Sequence, residues 1–347
     1  MSKITQISIL FSLMFLFTTL SAAADFVIDM DDHGSLTEAL ENIPMDAGIV
    51  TLKLSKQNLK DSDTKLSLPD DRNIKEFVIM PPDGSENISC PEMERICANG
   101  IPLTIGEGVA LENASIYGGR CASGEEAQIE TSNLTIAGSV GFVFGGGFAE
   151  NGGTSNVTET FVTLKNSGVV YFEIFGGGHA YSEGSQVKSE STSLKISGTA
   201  DYVLGGGFAE DGGTSECLHT DITVTEESNI PVALFSGGSA SGSGSLSSVE
   251  NAKAAVAGRA NWAFSGDFAF AGGETRLNGS SRLEILSAGI SEIAYMGSFS
   301  SDEGSAAYVN TAELMVCGTA AQIVQNSQST DHGEARTMVK ALFPCSN

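Results

Sequence analysis

Positive charge is scarce in this chain: 18 Lys and Arg stand against 43 Asp and Glu, a formal net charge of −25. A surface of that sign repels nucleic acid, anionic lipid and polyanionic glycans. No nucleic-acid partner is therefore expected, and uronate or sulfated substrates are disfavoured. Histidine is also sparse, with four residues scattered at His33, His179, His219 and His332. No HExxH pair, nucleophile elbow, phosphate loop or GGxGxD calcium signature occurs. Past residue 24 no apolar run approaches the roughly 18 residues of a membrane helix, so no membrane span is expected. No cofactor is expected either, with Ca²⁺ the one ion such an acidic surface invites.

The first 24 residues are different. Lys3 precedes a mostly apolar run from Ile7 to Leu20, and Ala22, Ala23 and Ala24 supply small residues before Asp25. That pattern predicts a signal peptide over 1–24, excluded from the fold, and a secreted or cell-surface protein. The six cysteines, Cys90, Cys97, Cys121, Cys217, Cys317 and Cys345, then favour disulfides. Cys90, Cys97 and Cys121 cluster, Cys317 and Cys345 can staple the end, and Cys217 stands apart. Sequence alone leaves the pairing open.

Residues 25–105 read as an N-terminal cap and first irregular coils. DFVIDM and VTLKLS have strand character. Between them Ser35 precedes LTEALENI with Glu38 three residues on, the start of a short helix. KLSL, EFVIM and IPLTI follow as further strands between turn residues.

Repetition begins after residue 105. The first residue of each Gly-rich element is Gly118, Gly145, Gly176, Gly205, Ser236, Ser265 or Met296, in steps of 27, 31, 29, 31, 29 and 31. The alternation makes the true unit a 60-residue pair of coils. Each coil also carries a period-two pair: Leu134/Ile136, Val162/Leu164, Leu194/Ile196, Ile222/Val224, Ala254/Val256, Leu283/Ile285 or Leu314/Val316. Alternation at 180° per residue marks half-buried strands, and a fixed period of this length marks a repeat architecture. The expected fold is all-β: a right-handed parallel β-solenoid (β-helix) of about 30-residue coils, seven to nine in number. Its repeats span 106–325 behind a β-α cap, with a C-terminal cap at 326–347.

The cap and short strands resemble the start of pectate-lyase-like right-handed β-helix proteins. The GGGxA repeats (FGGGFA, FGGGHA, LGGGFA) are similar to those of secreted adhesin-like β-helix proteins of host-associated microbes. The resemblance covers 106–325 and implies an extracellular surface or matrix role; it carries no catalytic residue onto this chain.

Candidate functional residues follow from the ladders. Phe144, Phe175, Phe235 and Phe264 recur beside Gly145, Gly176 and Gly205, with Phe148, Phe208, Phe268 and Phe299 four positions after. They form either a stacking platform for sugars or, as the preponderance of Phe over Tyr and Trp favours, a buried stack inside the solenoid. Glu150 and Glu210, with Asp211, occupy equivalent sites two coils apart, about 10 Å at one strand spacing per coil. They are read as a solvated turn, or else as a binding or acid/base pair. His179 replaces a Phe in the ladder. ECLHTD, with Cys217 and His219, is a weak metal signal because no second pair answers it. Arg259 and Arg276 are expected to pair with acidic neighbours. Together these readings favour a structural or adhesive solenoid presenting a rigid acidic surface to a glycan, a protein surface or another copy of itself. The alternative is a carbohydrate-active enzyme on a neutral glycan, which requires clustered carboxylates on one coil face.

Overall fold

A computed structural model describes residues 24–33, 35–54, 64–82, 87–343 and 345. The segment read as a signal peptide lies, but for Ala24, outside the described residues. The chain winds as a parallel β-solenoid of about 10 coils, roughly 29 residues apart, somewhat more than the seven to nine expected. Each coil visits three sheets of 12, 11 and 8 strands in turn. One full coil runs through a long strand, Thr154–Leu164, a middle strand, Val169–Phe175, and a short strand, His179–Tyr181. At the N-terminal end the helix Leu36–Glu41, capped by Ser35 Oγ accepting from the Glu38 amide at 3.2 Å, buries Leu36 and Ala39 over the core. At the other end the segment expected to be a cap is a further strand, Glu334–Phe343, paired in parallel with Ala306–Val316. Ile323 and Leu342, on inward-facing columns there, are 40% and 49% exposed.

The pairing explains the alternating period. In the long sheet Ala127, Ser155, Val187, Ser215, Ser247, Thr275 and Ala307 form one column, in steps of 28 and 32. The longer coil has two more residues at its first corner (165–168 against 137–138). It has one more in its middle strand, where the register shifts, and one more at its second corner (182–185 against 151–153). The short second corner turns through two consecutive left-handed residues, as at Asn151 and Gly152 (φ 55° and 76°). Asn and Gly are the residues that adopt that conformation at least cost.

Inside the coils the period-two pairs of the long sheet stack on Val140/Val143, Val170/Ile174 and Ile230/Leu234 of the middle sheet. Apart from Val316, which is half-buried, these side chains are at most 1% exposed. Ala149, Ala180 and Ala209 line the short sheet at 0% exposure, in a column of small residues that continues to Ser300.

The glycine triplets are the bend between the middle and short sheets. A Cβ on the central residue would lie 2.6 Å from the Gly178 amide at Gly146 and 2.8 Å from the Gly207 amide at Gly177. Backbone cannot yield there, and the central position is glycine in seven consecutive copies from Gly119 to Gly297. The first position obeys a different rule. Gly145, Gly176 and Gly205 face Thr160, Thr192 and Thr220 of the long sheet. Hydroxyls of that column donate to the bend carbonyl one coil on, as Thr160 Oγ1 does to Gly176 O at 2.6 Å. Where the column becomes Ala252 and Ala312, the first position becomes Ser236 and Met296. The sequence degeneracy is therefore a trade of volume across the core.

At the third position Asp267 takes the place of glycine. It is 1% exposed, and Oδ1 accepts from the Gly238 amide at 2.9 Å. Oδ2 has no partner among the described residues. Burial pushes the carboxyl up to about 8.

The aromatic residues lie where the sequence reading did not put them. Val143 faces the core, so its neighbour Phe144 faces outward. The Phe ladder is buried, but outside the solenoid, in the concave elbow between the outer faces of the middle and short sheets. Rings from one sheet stack up the elbow, with centroids 4.8 Å apart for Tyr117–Phe144, 5.0 Å for Phe144–Phe175 and 4.5 Å for Phe235–Phe264. Rings from the other sheet close over them, as Phe208 does over Phe175 at 5.4 Å. Phe144, Phe175, Phe235 and Phe264 are each at most 3% exposed. The columns end in Cys97 and Cys121, whose disulfide joins the two sheets where other coils have an aromatic pair. A second disulfide links Cys317 and Cys345, while Cys90 and Cys217 are buried and lie outside both bonds.

Two predictions follow from this packing. Phe175→Ala is expected to destabilise the fold by about 3–5 kcal/mol in urea titrations, the range for truncating a buried ring; a loss within error of zero would mean that the elbow is open to water. For Asp267, the folded state keeps a proton that the unfolded chain releases near its ordinary value. Stability therefore falls as pH rises between about 4 and 8, at up to about 1.4 kcal/mol per pH unit from this one group. Asp267→Asn should gain stability over the native chain progressively across that window and match it most closely at its acid end. Parallel pH profiles would show that Asp267 is ionised in the folded state.

Candidate functional site

The outward elbow is a groove running along the solenoid axis. Its floor is the aromatic ladder. One wall is the middle-sheet column two residues before the rings: Arg95, Ser115, Phe142, Glu173, Tyr202, Ala233 and Trp262. The other wall is the short-sheet column of Ser123, Glu150, Tyr181, Glu210, Ser241 and Phe270. Every second residue of a strand faces the same way, so both walls share the outer face with the rings.

Polar groups gather over four successive coils. His179 sits in the short-sheet ring column between Phe148 and Phe208, its side chain 13% exposed. Its Nδ1 lies 3.2 Å from Tyr117 Oη and its Nε2 3.1 Å from Glu210 Oε2. Burial lowers the imidazole's pKa against the opposing pull of Glu210. The neutral tautomer that satisfies both contacts carries its proton on Nε2 and donates it to Glu210, while the Tyr117 hydroxyl donates to Nδ1. Burial also raises the Tyr117 hydroxyl well above its usual range, so that proton stays in place.

Two further acids flank this chain. Glu150 lies 3.7 Å from Arg95 Nη1, and the Arg95 guanidinium lies 4.1 Å from the Phe148 ring centre. Glu173 projects from the opposite wall beside Tyr202. It is partly buried, and among the described residues nothing hydrogen-bonds or pairs with its carboxyl. Desolvation first, and the neighbouring Glu210 second, push it up to about 7. The rim carries exposed rings, Tyr181 at 40% and Phe172 at 46% in the coil of Glu173 and His179, and Trp262 at 41% farther along.

Of the residues singled out in the sequence, Glu150, Glu210 and His179 come together here. The two acids are the last residues of short strands, Phe148–Glu150 and Phe208–Glu210, rather than solvated turn residues. Asp211 does not join them; it is an exposed corner residue with φ 50°. Tyr117 stands in line with the aromatic ladder, whereas Arg95 and Glu173 escaped notice as groove residues. Glu173 had one signal: it stands two positions before Phe175, where neighbouring coils carry Phe142, Tyr202 or Trp262. The ECLHTD motif separates in space, since Cys217 is buried with Sγ 3.3 Å from the His219 carbonyl while His219 is exposed. Among the described residues no group of three His, Cys, Asp or Glu is placed to hold a metal. Arg259 and Arg276 pair with Glu292 and Glu274.

The groove offers carboxylates, one of which burial raises to about 7, a neutral imidazole and exposed ring faces, all in line along the axis. Hydroxyl-rich ligands with apolar ring faces match such a surface. No family model, curated protein or solved structure matches this chain.

Proposed function

We propose that this protein is an extracellular adhesive β-solenoid that holds an extended glycan along its outer groove. The observation that carries the reading is the His179–Glu210–Tyr117 constellation set in line with exposed aromatic rims on one concave face. Coil spacing of about 4.8 Å is close to the length of one pyranose unit, so a linear chain meets one coil per sugar. Two disulfides fit an oxidising compartment, as does the signal-peptide pattern. The strong net negative charge favours neutral or cationic glycans over uronates.

Glu173 supports a second reading. A carboxyl that burial and the neighbouring Glu210 raise to about 7 is the kind of group that serves as an acid beside a second carboxyl, so glycan cleavage must be tested together with binding.

A glycan array probed with residues 25–347, with and without calcium and followed by product analysis, tests both. Binding with intact glycan is expected, and Trp262→Ala should weaken it about tenfold, as loss of an aromatic anchor does, without changing the melting temperature. Shortened products would establish the enzymatic reading. Silence across neutral and cationic glycans would overturn the proposal.

A further inference from the structure

The groove's charge is unbalanced at one place. Arg95 is engaged with Glu150 and stacked on Phe148. His179 is neutral and gives its one proton to Glu210. Among the described residues that leaves Glu210 with a single donor, 34% exposed, and Glu173 with none, close enough to Glu210 across the elbow to feel its charge. A carboxyl partly removed from water without a donor is costly, and the cost falls when a charged donor reaches it. Beside this pair stand aromatic side chains: Tyr202 next in register to Glu173, and Tyr181, 40% exposed, next in register to Glu210. An unpartnered Glu173 and a Glu210 with one neutral donor, framed by aromatic side chains, form a receptor for an ammonium group.

We infer that the groove selects amino sugars, with the protonated amine seated between Glu173 and Glu210 and the pyranose ring on the adjoining aromatic faces. This rests on the glycan-binding reading and narrows it. An N-acetylated sugar brings neither the charge nor the three donors of an ammonium group, and would leave the Glu173 carboxyl protonated. The amine instead requires Glu173 to ionise. A proton therefore leaves Glu173 for the solvent as the ammonium takes its place, with no covalent bond made or broken.

The test uses a glucosamine oligomer and an N-acetylglucosamine oligomer of equal length, titrated calorimetrically into the native protein at pH 6 in two buffers of different ionisation enthalpy. The glucosamine oligomer is expected to bind at least tenfold more tightly, with proton release that the acetylated oligomer does not cause. Glu173→Gln should erase both the preference and the proton release, while leaving affinity for the acetylated oligomer intact and without lowering the melting temperature. Equal affinity for the two oligomers, or a preference that survives Glu173→Gln, overturns the amine site alone. Failure of both oligomers to bind while other glycans bind on the array also overturns it and spares the broader reading; failure of every glycan overturns both.

Discussion

The structure depends on how closely backbone approaches backbone at the glycine bend. A Cβ on the central residue would stand within 2.6–2.8 Å of amide nitrogens in the next coil, a contact that no rotamer change relieves. That approach lets the middle strand turn outward into the short strand within three residues. The outward turn makes an elbow instead of a rounded tube. The elbow then has to be filled, because a concave apolar surface facing water would be unstable. Aromatic rings fill it from both sheets. The glycines and the phenylalanines are therefore one device: the bend creates the groove, and the rings occupy it.

The same device explains why the polar residues in the groove behave as they do. In an ordinary strand an outward His or Glu is solvated. Here the ring stack below and the facing wall above remove water from His179, Tyr117 and Glu173, which moves their proton affinities in the direction that disfavours charge. Specific chemistry arises from packing that is otherwise generic.

Much of the architecture was legible because a parallel stack repeats its constraints. The pairs from Leu134/Ile136 to Leu314/Val316 read correctly as inward columns, and the alternating steps of 29 and 31 reappear as two coil forms differing by four residues. The side of the sheet on which the rings lie was not legible. Val143 and Phe144 are both buried, on opposite faces, and a strand covered on both faces reads as a continuous apolar run. Even spacing between Phe144 and Phe148 says that they share a face; only the bend between them says which. The site was half legible for another reason. Tyr117, His179 and Glu210 are 62 and 31 residues apart in their two contacts, so no local pattern joins them. Glu150 and Glu210 announced themselves only as equivalent positions in a repeat.

The paired-coil unit also determines how charge is distributed along the groove. Were all coils alike, an acid at the end of the short strand would recur at every step, about 4.8 Å above the next. Like charges directly opposite one another destabilise a sheet. Two coil forms avoid this: the column reads Glu150, Tyr181, Glu210, Ser241 and Phe270, so acids are separated by a neutral aromatic residue. Each acid then has room for its own partner, Arg95 for Glu150 and His179 for Glu210. Glu173 comes from the other sheet, where no such alternation protects it, and it meets Glu210 across the elbow. Among the described residues, the one carboxyl in the groove without a partner is thus the one that the repeat does not space.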